Sequence, residues 1–209
     1  MRLFLCLNSR DSIMNDFFLA NNRSIKIKVL GNDVEVKQLQ IFNFDIWSPI
    51  ASVIRDSLKQ SNYSDLIGAG LVKNYGAHVF QLCSMCTSTD VETLLDLAES
   101  DPLEFGHLLK HVIEVNGAYF KEEIKPGLKN RKKKGEAEHT WFDSFQYLIA
   151  YGHRHEDILQ MTYGTFINYL KSAQKYQCNR GKFDSNIIRA AHHADKKGFT
   201  TFQDELSKH

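Results

Sequence analysis

Proline is scarce in this chain: there are three in 209 residues. Proline removes a backbone donor and fixes φ, so its rarity permits long uninterrupted helices. Cysteine is nearly as rare, with four residues. Cys6, Cys83, Cys86 and Cys178 follow no regular spacing, and a chain this long does not need a disulfide scaffold. A reducing compartment is the expectation. Neither sign of charge is in excess, since the formal net charge is +1. No global field therefore draws the chain to nucleic acid or to anionic lipid. No apolar run approaches the roughly 20 residues that span a bilayer, so no membrane partner is expected. Met1 to Leu7 is apolar, but Asn8, Ser9, Arg10 and Asp11 stop it short of a signal peptide. Met14 opens like an ordinary N-terminus, and translation is expected to begin there.

Motifs that carry chemistry are missing as well. There is no GxGxxG, no phosphate-binding GxxxxGK and no GxSxG. Gly68-Ala69-Gly70 reads as a helix break. Cys83-Ser84-Met85-Cys86 supplies two of the four ligands a zinc ion needs, and no second pair stands at finger spacing. Helix packing is the expected role of these thiols. His107 and His111 lie four apart, with Glu114 on the same helical side. Leu108 occupies the position where the HExxH motif carries its catalytic glutamate. A metal-dependent hydrolase built on His107, His111 and Glu114 is kept as an alternative. The expectation is a non-enzymatic protein with no cofactor and no metal.

What the sequence does contain is periodicity. Ile25, Ile27 and Val29 alternate with lysines, and Val34 and Val36 alternate with Glu35 and Lys37. This is the period of two of half-buried strands. A hairpin with its loop at Gly31-Asn32 would pair Val29 with Val34 and Ile27 with Val36. From Phe44 the period becomes helical, with Ile46, Ile50, Val53, Ile54 and Leu58 on one face. Asp90 and Asp101 are expected N-caps, the second followed by Pro102 at the first helical position. The next apolar face reads Leu103, Leu108, Leu109, Val112, Ile113, Val115 and Phe120. Thr140 with Asp143 forms a capping box before Trp141, Phe142 and Phe145. Gly152 ends that helix and Thr162 caps another. Asn179-Arg180-Gly181 is expected to turn, Asp184 to cap a further stretch, and Phe199, Phe202 and Leu206 to close a last short helix.

Between the two helical stretches lies a basic run. Lys129, Arg131, Lys132, Lys133 and Lys134 could each meet a phosphate, and a small nucleic-acid-associated regulator is a second alternative. No aromatic residue interleaves the run for base stacking, so a solvated linker is preferred. The fold class expected is mainly α with one N-terminal β-hairpin and two helical modules joined by this basic linker. The expected divisions are a poorly ordered segment over 1–24, a hairpin-plus-helix domain over 25–128, the linker over 129–139 and a helical domain over 140–209.

Several segments resemble the tail assembly chaperones of long-tailed phages. Val34-Glu35-Val36-Lys37-Gln38-Leu39 is similar to their opening. Val112-Ile113-Glu114-Val115-Asn116-Gly117-Ala118-Tyr119-Phe120 resembles the close of their first domain. Tyr147 to His153, Ile158 to Thr162 and Asp195 to Phe202 look like the extension of their longer, frameshift-derived form. The resemblance spans most of residues 25–206. It implies a protein of the host cytoplasm that binds the tape-measure protein, helps recruit tail-tube subunits and is not kept in the mature virion. Self-association is a further expectation. A client helix would lay its apolar stripe into a groove, with Phe44, Trp47, Val53, Tyr119 and Phe120 as the candidate binding residues and Met85 and Met161 as adaptable lining, while core packing is the commoner role of such side chains and is the alternative for each.

Overall fold

A computed structural model describes residues 18, 21–61, 69–121, 140–193 and 195–206. It is mainly α with one antiparallel hairpin at the N-terminal side, as the periodicity implies. The elements are β1 (Ile25–Val29), β2 (Asn32–Val36), a 3₁₀ turn (Ile41–Asn43), α1 (Phe44–Gln60), α2 (Ala69–Cys86), α3 (Val91–Ser100), α4 (Pro102–Val115), α5 (Gly117–Phe120), α6 (Trp141–Ala150), α7 (His155–Gln160), α8 (Tyr163–His193) and α9 (Lys196–Leu206).

The hairpin register differs from the expected one by two residues. Ile25 pairs with Val36, Ile27 with Val34 and Val29 with Asn32. The loop is therefore Leu30-Gly31, and both residues have positive φ, 49° and 82°. Positive φ at both central positions is the geometry that matches the right-handed twist of two strands. Because the side-chain period is also two, the slip leaves every apolar residue on its expected face.

Helix ends follow local chemistry. The Asp90 carboxylate accepts from the Thr93 amide at 2.9 Å, and the Asp101 carboxylate accepts from the Glu104 amide at 3.1 Å. The Thr93 amide, joined by the Thr93 hydroxyl, holds the Asp90 carboxyl below its ordinary range. Thr140 and Asp143 form a reciprocal capping box. Gly152, at φ 95°, ends α6 in the left-handed region that glycine enters without penalty.

Three expectations are corrected. The face that α1 buries is Trp47, Ala51, Ile54 and Leu58, rotated by one position, and Ile46 is exposed. Leu103 is 71% exposed, so α4 packs from Phe105 onward. Residues 179–184 form no turn and no cap, because α8 runs through them to His193. Of the lead segment, Phe18 is buried and the Asn22 side chain holds the Gln160 carbonyl and the Thr162 amide, each at 3.2 Å.

The chain divides into two compact units, 1–167 and 168–209. This boundary lies one module beyond the basic run, which falls outside the described residues. In the first unit, α1, α2, α4 and α5 enclose a core with Trp47, Leu58, Leu82, Leu109 and Phe120 fully buried. No helix of the described residues is long and apolar enough to cross a membrane.

Candidate binding groove

The expected binding residues converge, but most of them face inward. Trp47, Tyr119 and Phe120 are core side chains. Phe44 and Val53 are half-buried. Phe44 lies 4.8 Å from Trp47, 4.4 Å from Trp141 and 6.1 Å from Tyr163, measured between ring centroids. Trp47 and Tyr119 meet edge to face at 4.9 Å, and Trp141 stacks on Phe166 at 5.5 Å. Such pairs each contribute about 0.5–1.5 kcal/mol beyond the area they bury. The cluster is a joint that ties α6 and the start of α8 to α1 and α5. Trp47, Tyr119 and Phe120, named as candidate client-binding residues, are buried within it.

Backbone pairing reinforces the joint. Gln40 and Thr162 form an isolated antiparallel bridge, with the Ile41 amide donating to Met161 at 2.9 Å and the Tyr163 amide to Leu39 at 2.9 Å. The Trp47 indole donates to the Gln40 carbonyl at 2.7 Å. The Arg55 guanidinium lies 4.6 Å from the centre of the Tyr119 ring. Burial pushes the Tyr119 phenol up, and the Arg55 charge partly opposes this. Met161 is buried beside the bridge, whereas Met85 is 39% exposed.

The two cysteines of the CxxC are both buried in α2, which is the packing role expected of them. Desolvation pushes the Cys86 thiol up to about 12 and the Cys83 thiol higher still. At neutral pH burial therefore keeps both as neutral thiols. Cys178 is exposed. His111 Nδ1 lies 3.6 Å from the Glu114 carboxylate, and Lys110 approaches the same carboxylate at 4.0 Å. His107 is solvent-exposed on α4. Among the described residues no three His, Cys, Asp or Glu side chains are grouped to hold a metal ion.

An open apolar groove lies between the hairpin and α3. This groove of about 340 Å³ is lined by Val29, Leu30, Val34, Leu94, Leu97 and Leu108, with Thr93, Asp96 and Ser100 along α3 and Thr89 just ahead of it. Thr93, Asp96, Leu97 and Ser100 recur at helical spacing, so one side of α3 forms a wall. Leu30 sits at the mouth and is 60% exposed. Its φ of 49° is unusual for a leucine, because in this region Cβ crowds the following carbonyl. The Leu30 amide donates to the Glu104 carboxylate at 3.3 Å, which fixes the loop against α4. A large apolar side chain is thus held in a strained conformation facing water. Strain retained in this way is a pointer to function.

A second cleft, of about 390 Å³, is polar and bounded by Asn22, Glu35, Lys37, Gln40, Asn43 and Met85 among others. Sequence reading missed both clefts, since each is assembled from segments far apart in the chain. The one local signal was Leu30 itself, an apolar residue inside a turn.

In comparisons with known proteins, no family model, no curated protein and no solved structure matches the chain.

Proposed function

We propose that this protein is a non-enzymatic assembly chaperone that shields the apolar stripe of a helical client. The observation that carries the reading is the open apolar groove between the hairpin and α3, with the strained, exposed Leu30 at its mouth. A volume of 340 Å³ accommodates one or two large apolar side chains, the anchors by which a helix enters a groove. Asp96 lines the groove and Glu104 braces its mouth. A client with lysine or arginine beside its apolar stripe complements that charge.

The resemblance to phage tail assembly chaperones supplies the client: the tape-measure protein, a long helical chain that needs protection before the tail is built. In this reading the helical extension recruits tail-tube subunits, the protein acts in the host cytoplasm, and it leaves before the virion is complete. Co-expression with a tape-measure protein tests it. The client is expected in the soluble fraction and in the same purified complex, and to be insoluble when expressed alone. A client that stays insoluble beside the chaperone contradicts the reading.

A further inference from the structure

We propose that α8 joins two copies of this protein through an antiparallel two-stranded coiled coil. Within the second unit, Tyr169, Ala173, Tyr176, Arg180, Phe183, Ile187 and Ala190 follow one another at alternating steps of four and three. That alternation is the seam of a left-handed coiled coil, sustained here for three heptads. Tyr169, Tyr176 and Phe183 are 39%, 59% and 45% exposed, so the aromatic positions of the seam reach solvent in the single chain, while Ala173 is buried and Ile187 and Ala190 are half-buried.

The helix itself requires a partner. Ser172, Asn179, Ser185 and Asn186 favour the helix weakly, and Gly181 stands in its middle with nothing near the place of a Cβ. A helix of this composition is marginal in water, and packing of an apolar stripe is what usually stabilises such helices.

A second copy fits this seam in charge as well as in spacing. Of the residues flanking it, Ser172, Gln177, Asn179, Asp184 and Asn186, only Asp184 is charged. Lys175, Lys182 and Arg189 recur every seven residues on the outer side, away from a facing helix. Two copies therefore meet without like-charge pairs beside the seam. Arg180 decides the direction. In a parallel pair it would oppose itself inside the seam. An antiparallel pair centred between positions 180 and 183 places Arg180 across from Phe183, where a cation–π contact is favourable. The same centre sets Tyr176 across from Ile187 and Ala173 across from Ala190, so large meets large and small meets small.

Sedimentation equilibrium of the full chain at tens of micromolar is the test. The dimer mass is expected for the native chain and for Lys182→Glu, and the monomer mass for Phe183→Glu, with the far-ultraviolet circular dichroism of the first unit's helices retained. A monomeric native chain overturns the proposal, and so does association of the native chain only with a helical client. Equal loss in Lys182→Glu and Phe183→Glu overturns the seam. Direction is read in chains with Cys6 and Cys178 replaced by serine. Oxidation of a mixture of Tyr176→Cys and Ile187→Cys chains is expected to give the unlike disulfide. Rapid pairing of Tyr176→Cys with itself overturns the antiparallel arrangement.

Discussion

Asn116 holds Leu39 across 77 residues of sequence: its side-chain oxygen accepts the Leu39 amide at 2.7 Å. The same side chain donates to the Val112 carbonyl at 3.0 Å and to the Lys37 carbonyl at 3.3 Å, and it reaches the Cys86 sulfur at 3.6 Å. The Lys37 amide in turn donates to the Cys86 carbonyl at 2.7 Å. One buried amide thus satisfies backbone groups where the chain leaves β2 and where α4 ends, and touches the Cys86 side chain where α2 ends. Asn116→Ala leaves the Leu39 amide buried with no acceptor, at a cost of about 2–4 kcal/mol for the set of lost bonds. Urea denaturation should show the unfolding free energy fall by that amount, through a lower midpoint at unchanged slope.

Leu30 should reveal a conflict between stability and binding. Leu30→Asn places in the first loop position a residue that enters the left-handed region readily. The variant should be more stable by about 0.5–1 kcal/mol and weaker in client retention. Thermal unfolding and a pull-down of the client, run on the same preparation, check both halves.

Trp47 belongs to the core, and its substitution should act on the fold. Trp47→Ala removes a fully buried ring and its hydrogen bond to Gln40, at a cost of about 3–5 kcal/mol. Near-ultraviolet circular dichroism should lose its aromatic fine structure. A Trp47→Ala chain that keeps full stability but loses its client would restore the indole as a binding residue.

The buried thiols set an alkaline limit. In the unfolded chain a cysteine ionises near its ordinary value of 9.0, while burial raises Cys86 to about 12 and Cys83 above that. The folded chain keeps these protons after the unfolded chain has lost them. Their contribution is therefore complete below pH 9 and is lost as pH climbs from 9 towards 12. Stability should fall by roughly 1 kcal/mol per pH unit for each thiol in that window. In a Cys6→Ser chain, a thiol reagent at neutral pH should label Cys178 rapidly and Cys83 and Cys86 only as fast as the protein opens.

Parts of this structure were legible in the sequence because they are local. The caps at Asp90, Asp101 and Thr140 depend on residues three apart, and they form as read. The hairpin was legible in its faces and not in its register, because a slip of two residues preserves the apolar alternation that identified it. The α1 face was ambiguous for a similar reason: Ile54 and Leu58 serve both the expected stripe and the observed one, and Ala51 gives no hydrophobic signal. Gly181 was misread as a stop. A glycine costs a helix about 1 kcal/mol relative to alanine, and a helix with other sources of stability passes through it. The groove was not legible, because Val29, Leu97 and Leu108 meet only after α3 and α4 have packed. Trp47 and Tyr119 were grouped with Phe44, but core and client-facing roles stayed open for them, since an aromatic stripe carries no sign of what covers it. The basic run from Lys129 to Lys134 lies outside the described residues.

The central claim is that the groove beside Leu30 receives an apolar helix. The most direct test is co-expression of a tape-measure client with the native protein and, in parallel, with Leu30→Glu. Leu30 is 60% exposed, so the charge leaves the fold intact. The account predicts a soluble, co-purifying client beside the native chain and an aggregated client beside Leu30→Glu, with both chaperones equally folded by circular dichroism. Equal solubilisation by the two chains, or none by either, would contradict it.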